Sequence, residues 1–488
     1  MDVQRLISDV SLSWETQILE ALRRHIEIPA KSRDFDLDWF EHGFIGQALE
    51  NARSWCEKHV PSGSQIEVIT HYLDETGKHR TPLLYVEIPA TGGCEQTVLL
   101  YGHLDKQPEG GPWDASRGLD PWKAVDLHDE QGHRLYGRGG ADDGYAVFAA
   151  VCALTCLEQQ GVPHARAVIL IETGEESGSP DLPFYLDLLR PKIGTPSLIV
   201  ALDSGCGTYD RLWLTTSLRG VLVGTLDVQV LAEAVHSGDA GGVVPDSFRI
   251  ARHLLGAIED SATGLMIHSL YADIPQAIYT QARIVAQIIG MEFINHFSWV
   301  DTPPSSTSTE WLVEQIINRT WRPSLAVTGA DGLPLICDAG NVLRTGTRLK
   351  LSIRIPPMVD HQAAVRIVES AIKHRGCPLG AKIALTFTSR PSWKCPDETL
   401  WFTNALSETS QAIFGKEPVR MGEGGTIPFM AQLSDAYPDA QFIITGVLGP
   451  GSNAHGPNEF IHVDYAKKLT ASIACMLAHQ TRVFSSQQ

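Results

Sequence analysis

The stretch "TVLLYGHLD" (residues 97–105) starts as five apolar or β-prone residues and ends in a histidine and an aspartate. An apolar run this short, ended by a glycine and polar groups, reads as a strand buried on both faces. Three more runs share its form: "AVILIE" (167–172), "SLIVALD" (197–203) and "QFIITGV" (441–447). Helical segments lie between or beside them, and residues 144–160 are apolar at helical spacing. The pattern predicts an α/β fold with a mostly parallel central sheet flanked by helices.

Residues further along the chain alternate instead. In "LKLSIRI" (349–355) Leu349, Leu351, Ile353 and Ile355 face one way, and Lys350, Ser352 and Arg354 the other. "VLVGTLDVQV" (221–230) and "AKIALTFTS" (381–389) behave alike, with helical segments at 247–259 and 361–374. Alternation means one buried and one exposed sheet face, hence a smaller α+β unit inserted in the first. The expected boundaries are 1–213 with 393–488 for the larger unit and 214–392 for the insert.

The chain has 488 residues, 43% hydrophobic and 20% charged, with a net charge of −18. No surplus of Lys and Arg exists to displace counterions from a phosphate backbone, so no nucleic-acid partner is expected. No run approaches the ~20 apolar residues of a membrane span, so no membrane partner is expected either. Nine scattered cysteines, Cys377 among them, form no CxxC, and the N-terminus lacks a signal peptide's apolar core. A reducing, cytoplasmic setting is expected.

Several predicted strands lead to potential metal ligands. His103 and Asp105 follow the first, Glu175 and Glu176 the second, Asp203 the third and His455 the fourth. In an open α/β sheet, ligands gather at the carboxyl ends of the strands. Asp142 in "GRGGADDGYA" (137–146) sits before a helix and could join them. Taken singly, each is an ordinary loop residue, and Asp142 or Asp143 a helix cap. Together, two histidines and three carboxylates suit zinc, with cobalt or manganese as alternatives. One carboxylate, Glu175, is left over for a general base.

The ordered set "GHLD", "YGRGGADD", "ETGEESGS", "ALDSG", "EAVHSG", "GEGGTIPF" and "NAHGPNE" resembles the co-catalytic dizinc metallopeptidase family of carnosinase, acetylornithine deacetylase, aminoacylase and the glutamate carboxypeptidases. The resemblance covers nearly the whole chain. It implies a zinc-peptidase catalytic domain with an inserted ferredoxin-like lid that also dimerises. It implies that His103 and Asp203 bind one zinc, Glu176 and His455 the other, and that Asp142 bridges them. By the same resemblance Glu175 activates the bridging water, Asp105 orients His103, and the Asp142–Asp143 peptide is cis. His236 matches a lid histidine that reaches a partner's active site in dimers. Arg354, Asn341, Gly425 and Thr426 match substrate contacts.

Two positions depart from the family's pattern. Gly144 stands where many members have lysine, and Gly422 where many peptidase members have arginine before "EGG". The resemblance leads to a dipeptidase or other exopeptidase cleaving small peptides. The alternatives are an N-acyl or N-carbamoyl amino acid amidohydrolase with the same metals and, in a different class, a non-catalytic binding protein on this scaffold. Asp rather than Glu at 203 tilts toward dipeptides.

Overall fold

The computed structural model describes all residues except 74–77, 307, 377–379 and 486–488. Cys377 therefore lies outside the described residues. All four apolar runs are strands of one six-stranded sheet: Thr97–His103, Arg166–Glu172, Pro196–Ala201 and Gln441–Ile444. These four pair in parallel. Leu83–Ile88 runs against them, and Gln65–Ile69 pairs antiparallel to it at the edge. Only Leu83–Ile88 is thus reversed.

Both faces of this sheet are covered, which is why its strands read as continuous apolar runs. Val98, Leu100, Ile169 and Val200 face a core shared with the helices Ala146–Gln159 and Val463–Ser485. Leu99, Tyr101, Leu170 and Ile199 face the helices Leu182–Ile193 and Pro428–Ala436. Residues 140–159 are long and apolar enough to cross a membrane, but 94% of that window is buried inside the protein. It is the central core helix, and each large aliphatic side chain buried there contributes about 1.5–3 kcal/mol.

The alternating segments form a separate antiparallel sheet. Its order is Ser324–Asp331, Gly346–Ile355, Gly220–Gln229, Lys382–Arg390. With the helices Ser247–Leu255 and His361–Arg375 on one face, this is the βαββαβ arrangement of a ferredoxin-like unit. Leu222, Leu226, Leu351 and Ile353 are buried under those helices. The helices Gln276–Ile289 and Thr309–Trp321 behave differently. Ala282, Val285, Ile316 and Trp321 belong to the main core, packed with Trp213 and Met421. Strand Trp213–Leu218 likewise pairs with Val419–Glu423.

Candidate metal centre

Parallel strands put their carboxyl ends on one sheet edge, and the candidate ligands collect there. His103 closes its strand, Asp203 follows Ala201 by two residues, and Glu175 and Glu176 open a short turn after Glu172. His455 comes from the loop after Gln441–Ile444. Asp142 comes from a tight turn between Gly139 and Gly144, and the Asp142–Asp143 peptide is cis. The helix beyond begins only at Ala146, and no side chain caps it. Neither aspartate is the helix cap that position alone suggests.

Asp142 faces two ways. Its Oδ1 lies 3.3 Å from His103 Nε2, and its Oδ2 lies 3.1 Å from His455 Nε2. Asp203 Oδ1 is 3.7 Å from His103 Nε2, and Glu176 Oε2 is 3.2 Å from His455 Nε2. Potential ligand atoms therefore fall into two groups, His103–Glu175–Asp203 and Asp142–Glu176–His455, each within 4.8 Å. Glu175 stands within ligand reach of the first group.

The donor set fits cations. His103 Nδ1 donates to the main-chain oxygen of Asp105 at 3.1 Å, which leaves the lone pair on Nε2 of the neutral ring. Among the described residues that buried Nε2 has no hydrogen-bond partner, and it lies 3.3 Å from Asp142 and 3.7 Å from Asp203. A lone pair against two carboxylates is repulsive unless positive charge lies between them. The acidities say the same. Burial, then the charge of Asp203, lifts Glu175 well above the usual carboxylate range. Burial, then Asp142, pushes Glu176 up to about 7. Burial opposes charge on His455, but its hydrogen bonds to Asp142 and Glu176 outweigh this and carry it up to about 11. Without cations these groups hold protons, and metal ions would take the protons' place.

A third group, Asp126–His128–His133, lies on the hairpin Val125–Asp129/Gly132–Tyr136. There Asp126 already accepts two hydrogen bonds from Arg23 and one contact from His133, so a guanidinium satisfies it.

Supporting contacts hold the frame. Asp105 accepts from the backbone N–H of Glu175 at 3.1 Å and of Glu176 at 3.0 Å, and its Oδ1 lies 3.5 Å from His103 Nδ1. One buried carboxylate thus sets the positions of three candidate groups. Glu459, fully buried, accepts from the N–H groups of Gly139, Ala141 and Asp142 and from Arg138. It shapes the Asp142 turn. No role falls to Glu459 from the sequence, although it closes the "NAHGPNE" motif. Gln107 donates to Glu176 Oε2 at 2.6 Å, and its only signal was proximity to "GHLD". Asp143 Oδ2 accepts from the N–H of His103 at 3.2 Å, so it braces that candidate ligand.

Gly144, one departure from the family pattern, has a steric reason here. A Cβ there would lie 2.3 Å from His25 Cδ2 and 2.5 Å from the Gly139 oxygen. His25 is fully buried. Gly144→Ala is expected to destabilise the fold by about 1–3 kcal/mol through overpacking, read as a lowered thermal unfolding midpoint. An unchanged midpoint would show that His25 yields freely.

The remaining candidates separate into two places. Gly425 and Thr426 line a cavity of about 470 Å³ together with Asp142, Glu175, Asp203 and His455. Arg354 Nη1 donates to Thr426 Oγ1 at 2.9 Å and forms no ion pair among the described residues. Burial lowers the pKa of Arg354 from its ordinary value. His236 and Asn341 lie elsewhere, both exposed, on the small pairing of Val235–His236 with Val342–Leu343. The Ser237 N–H donates to the Asn341 oxygen, so the two travel together, but neither lines the cavity.

Known proteins share this architecture. A family model described as Peptidase family M20/M25/M40 matches residues 99–479. The chain is 27% identical over 388 residues to a cysteinylglycine-S-conjugate dipeptidase of Corynebacterium striatum, covering 77% of this chain and 80% of that one. It is 26% identical over 472 residues to the Cys-Gly metallodipeptidase DUG1 of Saccharomyces cerevisiae, covering 92% of each. The structure of human carnosine dipeptidase 1 superposes with a TM-score of 0.75 at 18% identity, covering 98% of this chain and 99% of that one, and so shares its fold. Metallopeptidases of this family bind a dinuclear metal site. The chain belongs to peptidase family M20/M25/M40 and is a metallopeptidase.

Proposed function

We propose that this protein is a dipeptidase with two zinc ions, held by His103, Asp203 and Asp142 on one side and by Glu176, His455 and Asp142 on the other. The observation that carries this is the pair of oxygens of Asp142, each directed at a different histidine. Three ligands then fall to each ion with one shared, and Glu175 remains. When bound, the metal ions supply Lewis acidity that polarises the scissile carbonyl and lowers the pKa of water.

Glu175 accepts the proton that water loses as it adds to the carbonyl carbon. It returns that proton to the amide nitrogen as the C–N bond breaks, so the amine leaves neutral. Asp105 keeps His103 in the tautomer that leaves Nε2 free. Arg354, Thr426 and the Gly425 backbone receive the substrate's carboxylate end, where a half-buried guanidinium has no carboxylate partner among the described residues. His236, with Asn341 beside it, serves the active site of a second copy in a homodimer formed through the lid. It would steady the oxyanion of the tetrahedral intermediate there.

Residues 1–213 and 393–488 form the catalytic unit and 214–392 the lid, with helices Gln276–Ile289 and Thr309–Trp321 of the latter range packed on the catalytic core. The setting is cytoplasmic; free thiols at all eight described cysteines support it. Free dipeptides and the corresponding N-acetyl and N-carbamoyl amino acids, offered to zinc-loaded enzyme, test the reading. The expected kcat/KM preference for dipeptides is about 10²-fold or more. Cleavage confined to the acylated compounds would replace the dipeptidase by a deacylase.

A further inference from the structure

Arg219 stands where the chain leaves one sheet for another. The strand Trp213–Leu218 ends just before it, and the strand Gly220–Gln229 of the ferredoxin-like unit starts just after it. Two further crossings between the units meet it there. One runs through Arg322, from the helix Thr309–Trp321 on the main core to the strand Ser324–Asp331. The other follows Lys382–Arg390, and a Cβ on Gly220 would lie 2.8 Å from its Arg390 oxygen and its Ser392 nitrogen.

The Arg219 side chain is buried and reaches across. Its Nη1 donates to the Arg322 oxygen at 3.1 Å and to Ser324 Oγ at 3.2 Å, and its Nε donates to the Gly424 oxygen at 3.1 Å. Its main-chain oxygen accepts from Thr426 Oγ1, the same hydroxyl that accepts from Arg354 Nη1. Arg354 lies opposite both Val221 and Ser324 in the ferredoxin-like sheet. One residue therefore ties the loop 424–426 to the two strands that flank Arg354. Arg219 itself does not line the metal cavity.

Its charge lacks a counter-charge. All three acceptors of the side chain are neutral, and Arg219 forms no ion pair among the described residues. Burial, then the charges of Arg354 and Arg319, lowers its pKa to about 10. The neighbouring Glu423 is held by Arg319 at 2.7 Å. A buried cation without a partner is costly, and a purely structural joint has no need of one. A carboxylate arriving at Arg354 would supply the missing negative charge. We propose that Arg219 is a positioning residue for the carboxylate seat: it holds Gly425, Thr426 and Arg354 in place relative to one another, and so sets the preference for a substrate with a free carboxylate. The proposal rests on the dipeptidase reading and adds a residue, outside the cavity, that sets its specificity.

Steady-state kinetics on the zinc-loaded enzyme with Ala-Gly and its C-terminal amide provide the test. Arg219→Met is expected to lower kcat/KM for Ala-Gly by about tenfold or more, mainly through KM, and that for the amide by less than about threefold. In an Arg354→Met background the same substitution should add little, because it acts through Arg354. Arg219→Lys keeps the charge but not the planar fork, and its KM for Ala-Gly should fall between those of wild type and Arg219→Met. It carries the comparison if metal content and unfolding midpoint show that Arg219→Met does not fold. Equal losses on the two substrates, or a wild-type KM for Ala-Gly in Arg219→Lys, would overturn the inference and leave the dipeptidase reading intact. Wild-type enzyme that cleaves neither substrate, or both alike, would overturn the carboxylate seat of the proposed function and this inference with it.

Discussion

Glu175→Gln is expected to keep its bound metal and to lose turnover by about 10²–10⁴-fold. The amide has the size of the carboxylate but cannot accept a proton. The backbone at 175 stays in place, because Asp105 holds its N–H and that of Glu176. The loss should fall on kcat, since the proposed function has the substrate's carboxylate end held elsewhere, at Arg354 and Thr426. Metal analysis beside kinetics gives the experiment its force. Glu175 lies within ligand reach of His103 and Asp203. A variant that loses one metal would make Glu175 a ligand. A variant with full metal and near-normal turnover would remove it from the chemistry.

Chelation is expected to abolish activity, and zinc, cobalt or manganese to restore it to differing degrees. The metal-free protein should also become less stable as pH rises from about 5 to 8. Glu176 is pushed from 4.5 up to about 7 in the fold, and burial, then Asp105, lifts Glu172 to about 8. Between pH 4.5 and those values the folded chain holds protons that the unfolded chain has lost. Their contribution is complete below pH 4.5 and disappears as pH passes the folded values. His455, raised from 6.5 to about 11, acts in the same direction above pH 6.5. Each extra proton held corresponds to a slope of about 1.4 kcal/mol per pH unit. Metal binding displaces the protons on Glu176 and His455, so the rise in unfolding midpoint on adding zinc should grow with pH across this window. Thermal melts with and without metal measure it. A metal-induced rise that shrinks with pH would show that protons do not stand in for metal here.

Much of the fold is legible because burial leaves a period in the sequence. The continuous apolar runs at 97–103 and 167–172 mark strands covered on both faces, and the strict alternation of 349–355 marks a sheet covered on one. The ligand types at the strand ends are equally legible, since parallel strands bring their carboxyl ends to one edge. Periodicity reports that a face is buried, not what buries it. That is why helices Gln276–Ile289 and Thr309–Trp321, inside the stretch 214–392, reveal only in space that they pack on the main core.

By itself, then, the sequence determined the fold class, the family and the identity of the candidate ligands, because these depend on residue type and spacing. Only the tertiary structure decided that Asp142 turns one oxygen to each histidine, that Asp105 positions three groups at once, and that His25 fills the space a side chain at 144 would need. The two histidines that Asp142 faces lie 39 and 313 positions from it in the chain, and the turn 139–144 that aims it is held under Glu459. A ligand's chemistry is written in its side chain, but which neighbour it faces is settled by packing.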